Sequence, residues 1–255
     1  MKLAIYAHFN ISERVIPSAW PYLECLQNLD YEIILVSNSP ICKQDRDRLE
    51  FHKIGVILRA NTGLDFGMWK AALAEVEIDE VNQLLLTNSS IVGPLHPLGP
   101  IFEMAKTWQC GFWGMTESTF LRRHLQSYFL VFERDVLRSQ FFRQFWENVV
   151  LLEEKQQIIL SYEIGLSSWM SQHGFEGKAY ITENQVWSEY RKSRTTIQLL
   201  AEVIRGKLTL PENVTLEFPD FLLSMGMPFL KCSLFDKPSK RISTERANAL
   251  FKAYR

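Results

Sequence analysis

The stretch Ile33–Leu58, IILVSNSPICKQDRDRLEFHKIGVIL, decides the fold, because it places a charged segment between two short apolar runs. Ile33–Val36 is apolar throughout and stops at the turn sequence Ser37-Asn38-Ser39-Pro40, which suits a strand buried on both faces of a parallel sheet. Lys43–His52 predicts a solvated helix, and Val56–Leu58 predicts the next strand. The stretch is therefore a strand–helix–strand unit with a right-handed crossover.

The same alternation continues on both sides of this unit. Leu3–Ala7 predicts an opening strand and Val15–Leu29 an amphipathic helix, while Gly67–Val76 predicts a helix and Leu84–Leu86 a fourth strand. Strands that alternate with helices in this order predict an α/β domain with a mostly parallel central sheet flanked by helices.

The second half of the chain is less regular. We predict strands at Cys110–Gly114, Tyr128–Phe132 and Ala179–Ile181, and helices at Asp135–Val149, at Tyr162–His173 and from Thr195 to Arg205. Because no linker or internal repeat interrupts the pattern, we expect a single domain over residues 1–235 and a helical, basic C-terminal extension over residues 236–255.

The end of the chain is basic. From Lys231 to Arg255 there are seven basic residues and two acidic ones, a net charge of +5. This balance has two interpretations, a solvated surface helix or a peripheral contact with the anionic inner membrane surface. In the second, each basic residue near the surface contributes about 1 kcal/mol of binding free energy.

Composition excludes several classes of protein. With 28 Lys and Arg against 29 Asp and Glu, the net charge is −1, which argues against bulk electrostatic binding of nucleic acid. An aromatic content of 13% excludes disordered and fibrous chains. The four cysteines form no CxxC pair, so we expect reduced thiols rather than a zinc site or a disulfide framework. The apolar run after Met1 stops at His8, unlike a signal peptide, and we expect a cytoplasmic protein.

Polar residues follow each of the four predicted strands. They are His8 after the first strand, Ser37 and Asn38 after the second, Asn61, Gly63, Asp65 and Gly67 after the third, and Asn88, Ser89 and Ser90 after the fourth. Because ligands of open parallel sheets bind beyond the carboxyl ends of the strands, these clusters predict a nucleotide pocket at one sheet edge.

The cluster after the third strand carries the most information. Gly63 and Gly67 permit turns and a close approach of the backbone to a ligand. Asp65 can accept hydrogen bonds from a sugar or a base, and a helix beginning near Gly67 would offer free N–H groups to phosphate. A structural turn is the alternative interpretation. Neither GxxxxGK[ST] nor GxGxxG is present, so ATPase and dinucleotide chemistry are not favoured.

Seven blocks in order along the chain resemble the rhamnan synthesis protein F family. They are Asn61-Thr62-Gly63-Leu64-Asp65-Phe66-Gly67; Thr87-Asn88-Ser89-Ser90 with Gly93-Pro94; Phe112-Trp113-Gly114; His124-Leu125-Gln126-Ser127-Tyr128-Phe129; Phe145-Trp146; Tyr162-Glu163-Ile164; and Pro228-Phe229-Leu230-Lys231. This resemblance covers most of the chain from about residue 3 to about residue 235 and implies a GT-A-like (Rossmann-like) fold.

The resemblance also implies an activity. It implies an inverting glycosyltransferase that takes a nucleotide sugar, with dTDP-β-L-rhamnose as the expected donor. The expected acceptor is a glycan or lipid-linked glycan of bacterial surface polysaccharide, such as a rhamnose-rich cell-wall glycan or an O-antigen.

In many GT-A enzymes an Asp-x-Asp after the fourth strand holds a divalent metal ion on the diphosphate of the donor. Here that position reads Asn88-Ser89-Ser90, and an amide and two hydroxyls are poor ligands for a hard cation. We therefore expect metal to bind weakly or not at all. Hydrogen bonds from these side chains, with the cation of Lys231, would hold the donor instead.

Inverting transfer needs a general base for the acceptor hydroxyl. By resemblance, Glu163, on a helix opened by Ser161 and closed by His173, is the first candidate; a carboxylate that stabilises a first helical turn is the alternative. Asp65 is the rival base, although its place beside two glycines favours donor binding.

His124 is the second candidate for the catalytic machinery. It precedes three polar residues and could contact phosphate or acceptor, or be a hydrogen-bonded structural group. Trp113, Trp146 and Trp169 are expected in the core, with a platform beneath a sugar as the alternative.

Two other functions stay open. One is a catalytically silent subunit that binds nucleotide sugar within a polysaccharide assembly complex, which the missing Asp-x-Asp favours. The other is a GT-A transferase that uses a UDP-hexose.

Overall fold

The computed structural model describes residues 1–195, 213–237, 239 and 242–254. Its strands are β1 (Lys2–His8), β2 (Tyr31–Ser37), β3 (Gly55–Leu58), β4 (Gln83–Asn88), β5 (Ile91–Val92), β6 (Phe112–Ser118), β7 (His124–Leu125), β8 (Phe129–Glu133), β9 (Gly177–Ile181) and β10 (Leu230–Lys231).

The helices flank these strands in sequence. They are α1 (Ala19–Gln27), α2 (Lys43–Phe51), α3 (Leu64–Leu73), α4 (Gly99–Lys106), α5 (Arg134–Leu137), α6 (Gln140–Glu147), α7 (Lys155–Ile158), α8 (Ile164–Gln172), α9 (Glu183–Lys192), α10 (Val214–Glu217), α11 (Pro219–Ser224), α12 (Ser233–Asp236) and α13 (Thr244–Tyr254). A π-helical turn, Ile159–Glu163, joins α7 to α8.

The central sheet is mixed but mostly parallel in its first half. Its order is β3-β2-β1-β4-β8-β6-β7, with β9 beside β6. Strands β3, β2, β1 and β4 run parallel, and β8 runs antiparallel between β4 and β6. The register pairs His8 with Ser37 and Ala7 with Asn88, so the polar residues that follow these strands meet at one edge. The predicted α/β class is confirmed.

The sheet is buried on both faces because the middle positions of its central strands, such as Leu84–Leu86, are apolar. Leu35 and Leu85 pack into one core with α1 and α4, whereas Val36, Leu84 and Leu86 pack into a second core with α3, α6 and α8. Helices therefore cover both faces, and the carboxyl edge of the sheet is left for polar residues.

Two of the helices predicted in the second half of the chain differ from those in the structure. The predicted helix Asp135–Val149 is divided into α5 and α6, because the Ser139 side chain accepts a hydrogen bond from the backbone N–H of Phe142 and caps a new helix. The helical segment predicted to start at Tyr162 begins at Lys155. The helix predicted from Thr195 to Arg205 lies outside the described residues.

Helix α13 packs on the rest of the chain through an apolar face. Ala247 and Leu250 of α13 are buried against Leu230 and Leu234, next to the two-stranded ribbon that β5 and β10 form. Among the described residues, none of the helices has both the length and the apolar character needed to span a bilayer. All four cysteines are free thiols.

Candidate active site

A cavity of about 310 Å³, lined by both polar and apolar residues, lies at the carboxyl edge of the sheet. It brings together five of the residues predicted from the sequence, which are Asp65, Asn88, Ser90, Glu163 and Lys231. They come from four separate parts of the chain: the first turn of α3, the end of β4, the π-helical turn and β10. Two carboxylates and the ammonium group of Lys231 therefore line one partly open cavity.

The glycines of the β3–α3 loop determine where Asp65 lies. Gly63 has a φ of +72° and Leu64 a φ of +46°, a conformation that is uncommon for a residue with a side chain. The chain enters α3 at Leu64, so the predicted start near Gly67 is wrong and Asp65 lies in the first turn. The Arg59 guanidinium holds this loop, because Nη1 donates a 2.8 Å hydrogen bond to the carbonyl of Thr62.

Asp65, Asn88 and Ser90 form a connected group. The Asn88 amide donates to Oδ2 of Asp65 at 2.7 Å, and Asn88 Oδ1 accepts from Ser90 N at 3.0 Å and from Ser90 Oγ at 2.6 Å. Burial raises the pKa of Asp65 to about 6, although Lys231 and the Asn88 hydrogen bond lower it. Asp65 therefore gives up its proton close to neutral pH.

With Lys155, Lys231 is one of the two lysines among the described residues that line the cavity. Its Nζ donates a 3.2 Å hydrogen bond to Ser90 Oγ and lies 4.1 Å from the centroid of the Tyr128 ring. Burial lowers the pKa of Lys231 to about 8, and the nearby carboxylates of Glu163 and Asp65 act in the opposite direction. The side chain is therefore mostly protonated at neutral pH.

Glu163 lies inside a continuous helical segment. It ends the π-helical turn, eight residues after the segment begins at Lys155, so the first-turn interpretation of Glu163 does not apply. Its Oε1 accepts a 2.9 Å hydrogen bond from the backbone N–H of Ser127. One carboxylate oxygen is thus held by the β7–β8 segment while the side chain lines the cavity.

His8 and Ser37 are buried beneath the sheet edge. The His8 ring pairs through Nδ1 with Ser37 Oγ at 3.0 Å, and its Nε2 accepts from the backbone N–H of Ile16 at 3.3 Å. Burial lowers the pKa of His8 to about 4. Both ring nitrogens are therefore engaged within the protein, outside the cavity.

The other predicted donor-binding residues also lie outside the cavity. Asn38 donates a 2.6 Å hydrogen bond to Asn61 between the ends of β2 and β3. Ser89 Oγ accepts from the backbone N–H of Phe9 at 3.3 Å. The buried Gly63 and Gly67 shape the loop, and Gly67 leaves no room for a side chain, since a Cβ would lie 2.3 Å from the Thr62 carbonyl oxygen.

His124 is buried on β7, away from the cavity. Its Nδ1 donates a 2.8 Å hydrogen bond to the carbonyl oxygen of Arg122. Trp113 and Trp146 are buried and Trp169 is partly buried in the two cores, as expected.

Sequence reasoning missed Lys155 and Asn213, which also line the cavity. Lys155, Ile159 and Glu163 are spaced by four residues, and this spacing favours a helix that places them on one face. The predicted helix starts at Tyr162 and excludes Lys155 and Ile159, so its bounds do not include this face. Asn213 accepts a 3.2 Å hydrogen bond from Gln126 Nε2 across 87 positions of sequence, and nothing in the local sequence indicates that contact.

The sequence of this chain is similar to one protein family and to several curated proteins. The model of the family described as rhamnan synthesis protein F matches residues 33–252. An uncharacterized protein, y4gN, from Sinorhizobium fredii is 25% identical over 167 residues, which are 63% of this chain and 44% of that protein. Virulence protein VirA from Vibrio anguillarum is 26% identical over 155 residues, 58% of this chain and 49% of that protein.

The chain thus spans less than half the length of these two curated relatives. Among solved structures, a putative nucleotide-diphospho-sugar transferase from Desulfovibrio desulfuricans is similar with a TM-score of 0.40 and 13% identity. That similarity covers 81% of this chain and 99% of the other.

Proposed function

Because this chain belongs to the rhamnan synthesis protein F family, we propose that it is a glycosyltransferase that moves a sugar from a nucleotide donor to a glycan acceptor. The observation that carries this proposal is the convergence of Asp65, Asn88, Glu163 and Lys231 on one cavity at the carboxyl edge of the sheet. A nucleotide sugar needs hydrogen-bond acceptors for its hydroxyls and positive charge for its diphosphate, and the cavity offers both.

The finer proposal is transfer of L-rhamnose from dTDP-β-L-rhamnose with inversion. Inversion needs a single base that removes the acceptor proton during in-line attack. Glu163 has this role in our proposal: one carboxylate oxygen is oriented by Ser127, and the other is left to receive the proton. The C1–O bond to the acceptor forms as the C1–O bond to the diphosphate breaks.

Asp65 is the second candidate for the base, favoured by its raised pKa of about 6, which suits proton transfer near neutral pH. Its hydrogen bond from Asn88 and its place in the glycine loop support donor binding instead. In our proposal Asp65, Asn88 and Ser90 bind the donor, and Asn38 and Asn61 lie where its nucleoside would extend along the strand ends.

The proposed acceptor is a growing surface polysaccharide, as a free or lipid-linked glycan. We further propose a cytoplasmic protein whose basic C-terminal residues contact the anionic inner membrane surface. Lys237, which is exposed, supports this contact. Arg246 instead donates to Asp220 at 3.1 Å, and that pairing supports a structural role.

A donor panel tests the function. Purified protein is incubated with dTDP-β-L-rhamnose or UDP-hexoses, with and without a glycan acceptor, and release of nucleoside diphosphate is measured. Turnover with dTDP-rhamnose alone supports the proposal. Turnover with a UDP-hexose alone would show that the proposed donor is wrong and that the donor is a UDP-hexose. Binding without turnover, even with acceptor present, supports the silent subunit that Asn88-Ser89-Ser90 favours.

A further inference from the structure

A departing nucleoside diphosphate gains negative charge, and a transferase must place a positive group against that charge. Magnesium ions that fill this role are bound by one or two carboxylates, by water and by the phosphate oxygens of the donor. At the end of β4 the ligand set is different, because Asn88 Oδ1 already accepts two hydrogen bonds from Ser90 and the Asn88 amide donates to Asp65. The described residues contain no group of three or more His, Cys, Asp or Glu that could hold a metal ion. These side chains do not fit a resident divalent metal.

Lys231 occupies the same part of the cavity with its own charge. It lies on β10, which pairs with β5 so that Lys231 faces Ile91, the residue after Ser90. The N–H of Cys232 donates to the Ser90 carbonyl oxygen at 2.8 Å and fixes the ribbon to the end of β4. These backbone contacts therefore fix the position of the Lys231 Cα beside the end of β4.

The Tyr128 ring then determines the position of the Lys231 ammonium group. Tyr128 is only 1% exposed, and its hydroxyl is paired with Thr116 Oγ1 at 2.6 Å. Its carbonyl oxygen accepts from Thr87 Oγ1 at 2.8 Å. The ring is thus a fixed face 4.1 Å from Nζ. An aromatic face holds an ammonium without supplying a neutralising charge, so N–H donors beyond the one used by Ser90 stay available.

On the basis of the function proposed above, we propose that the Lys231 ammonium stabilises the departing diphosphate in place of a divalent cation and that Tyr128 is its positioning residue. In the transfer step the acceptor oxygen bonds to C1 of the sugar and loses its proton to Glu163. The bond between C1 and the diphosphate oxygen breaks with its electron pair on that oxygen, and the Lys231 N–H groups donate to the oxygen that leaves.

The first test measures transfer in EDTA and after addition of Mn²⁺ or Mg²⁺. We expect full turnover in EDTA and about a 100-fold loss for Lys231→Ala, the scale seen when a single stabilising donor is removed. Lys106→Ala removes an exposed lysine at the end of α4, outside the cavity, and is the matched control, with turnover like that of the unaltered protein. Added ethylammonium should restore part of the lost turnover in Lys231→Ala, which a merely structural role would not allow.

The second test addresses Tyr128. Tyr128→Leu should lower turnover about tenfold, in line with loss of a cation–π contact, and Tyr128→Phe, which keeps the ring, should recover most of it. Circular dichroism shows whether each variant is folded. If Tyr128→Phe is as impaired as Tyr128→Leu in folded protein, the ring does not position Lys231.

A binding measurement separates this inference from the proposed function. Calorimetry gives the affinity ratio of dTDP to dTMP, and of UDP to UMP, without any transfer. We expect the ratio to fall at least tenfold in Lys231→Ala, the size of a charge-assisted hydrogen bond. If the unaltered protein transfers no sugar but the ratio falls, the function is wrong and diphosphate recognition by Lys231 stands. An unchanged ratio, or turnover lost in EDTA and restored by Mn²⁺, overturns the inference.

Discussion

The side-chain amide of Asn88 donates a 2.7 Å hydrogen bond to Oδ2 of Asp65, joining the end of β4 to the first turn of α3. This bond holds a carboxylate that burial would otherwise protonate. The pair therefore links the charge state of the cavity to the stability of the whole domain, and several measurable consequences depend on it.

We expect Asp65→Asn to stabilise the protein above pH 6. In the fold Asp65 keeps its proton up to about pH 6, whereas its ordinary value is 3.8. The folded state therefore binds the proton more tightly, and stability from this group is greatest below pH 3.8 and is lost as pH rises through 6. The side chain is partly exposed, so we expect about 1–2 kcal/mol at pH 7.5.

Urea unfolding of the two proteins between pH 4 and 8 measures this difference. Asp47→Asn, an exposed position on α2, is the control and should leave the pH dependence unchanged. If the free energy of unfolding depends on pH in the same way for Asp65→Asn and for the unaltered protein, burial does not raise the pKa of Asp65.

Glu163→Gln should remove turnover and keep donor binding. The amide oxygen of glutamine can still accept the Ser127 N–H, so the local structure is maintained while the proposed base is lost. We expect kcat to fall about 10²- to 10⁴-fold, with the Kd for dTDP changed little. Glu154→Gln, an exposed carboxylate just before α7, is the matched control. Normal turnover in Glu163→Gln would transfer the role of base to Asp65.

The pH profile of kcat/KM should fall on the alkaline side above about pH 8. The Lys231 ammonium loses its proton in that range because burial lowers its pKa to about 8. In Lys231→Arg the cation persists to much higher pH, so the alkaline fall should disappear even if the maximum rate is reduced. Initial rates at low donor concentration give the profile, and an identical fall in both proteins would assign it to another group.

The His8 ring should stay neutral to about pH 4. Its Nε2 accepts from Ile16, so Nδ1 carries the proton and donates to Ser37. Protonation of Nε2 would break the bond to Ile16, so stability from this group is present above its ordinary value of 6.5 and is lost as pH falls through 4. Long-range ¹⁵N–¹H NMR gives the tautomer and the midpoint, and a midpoint near 6.5 would refute this environment.

Gly67→Ala should destabilise the protein by about 1–3 kcal/mol, since a methyl group there would collide with backbone. A Cβ would lie 2.3 Å from the Thr62 carbonyl oxygen and 2.7 Å from Arg59 Nη1. Gly165→Ala, in α8, is the matched control, because the nearest atom to a Cβ there is 3.8 Å away. Thermal unfolding compares the two variants. Equal melting temperatures would show that the loop accommodates the methyl group with no loss of stability.

The first half of the fold could be predicted because its strands are recognisable locally. Ile33–Val36 and Leu84–Leu86 are apolar at every position, and the turn residues after them mark the strand ends. The parallel register then follows from connectivity alone, which is why Asp65 and Asn88 could be expected at one edge.

The errors came from local helix starts that apolar periodicity does not show and from interactions between distant residues. A left-handed Gly63 allows α3 to begin three residues early, and Ser139 caps a helix where apolar periodicity alone indicates continuity. The strand-end rule placed His8 near the ligand, but its ring turns inward to pair with Ser37 and Ile16. The Gln126–Asn213 contact likewise depends on tertiary structure that no local pattern encodes.

The π-helical turn at Ile159–Glu163 is the geometry that an α-helix acquires when it gains one residue. Each α-helical residue advances the side-chain direction by about 100°. A relative that lacks this additional residue would keep the sheet, the loops and the ribbon, yet direct its equivalent of Glu163 away from the cavity. Under the role proposed for Glu163, loss or gain of a single codon at this turn would therefore decide whether its carboxylate reaches the cavity.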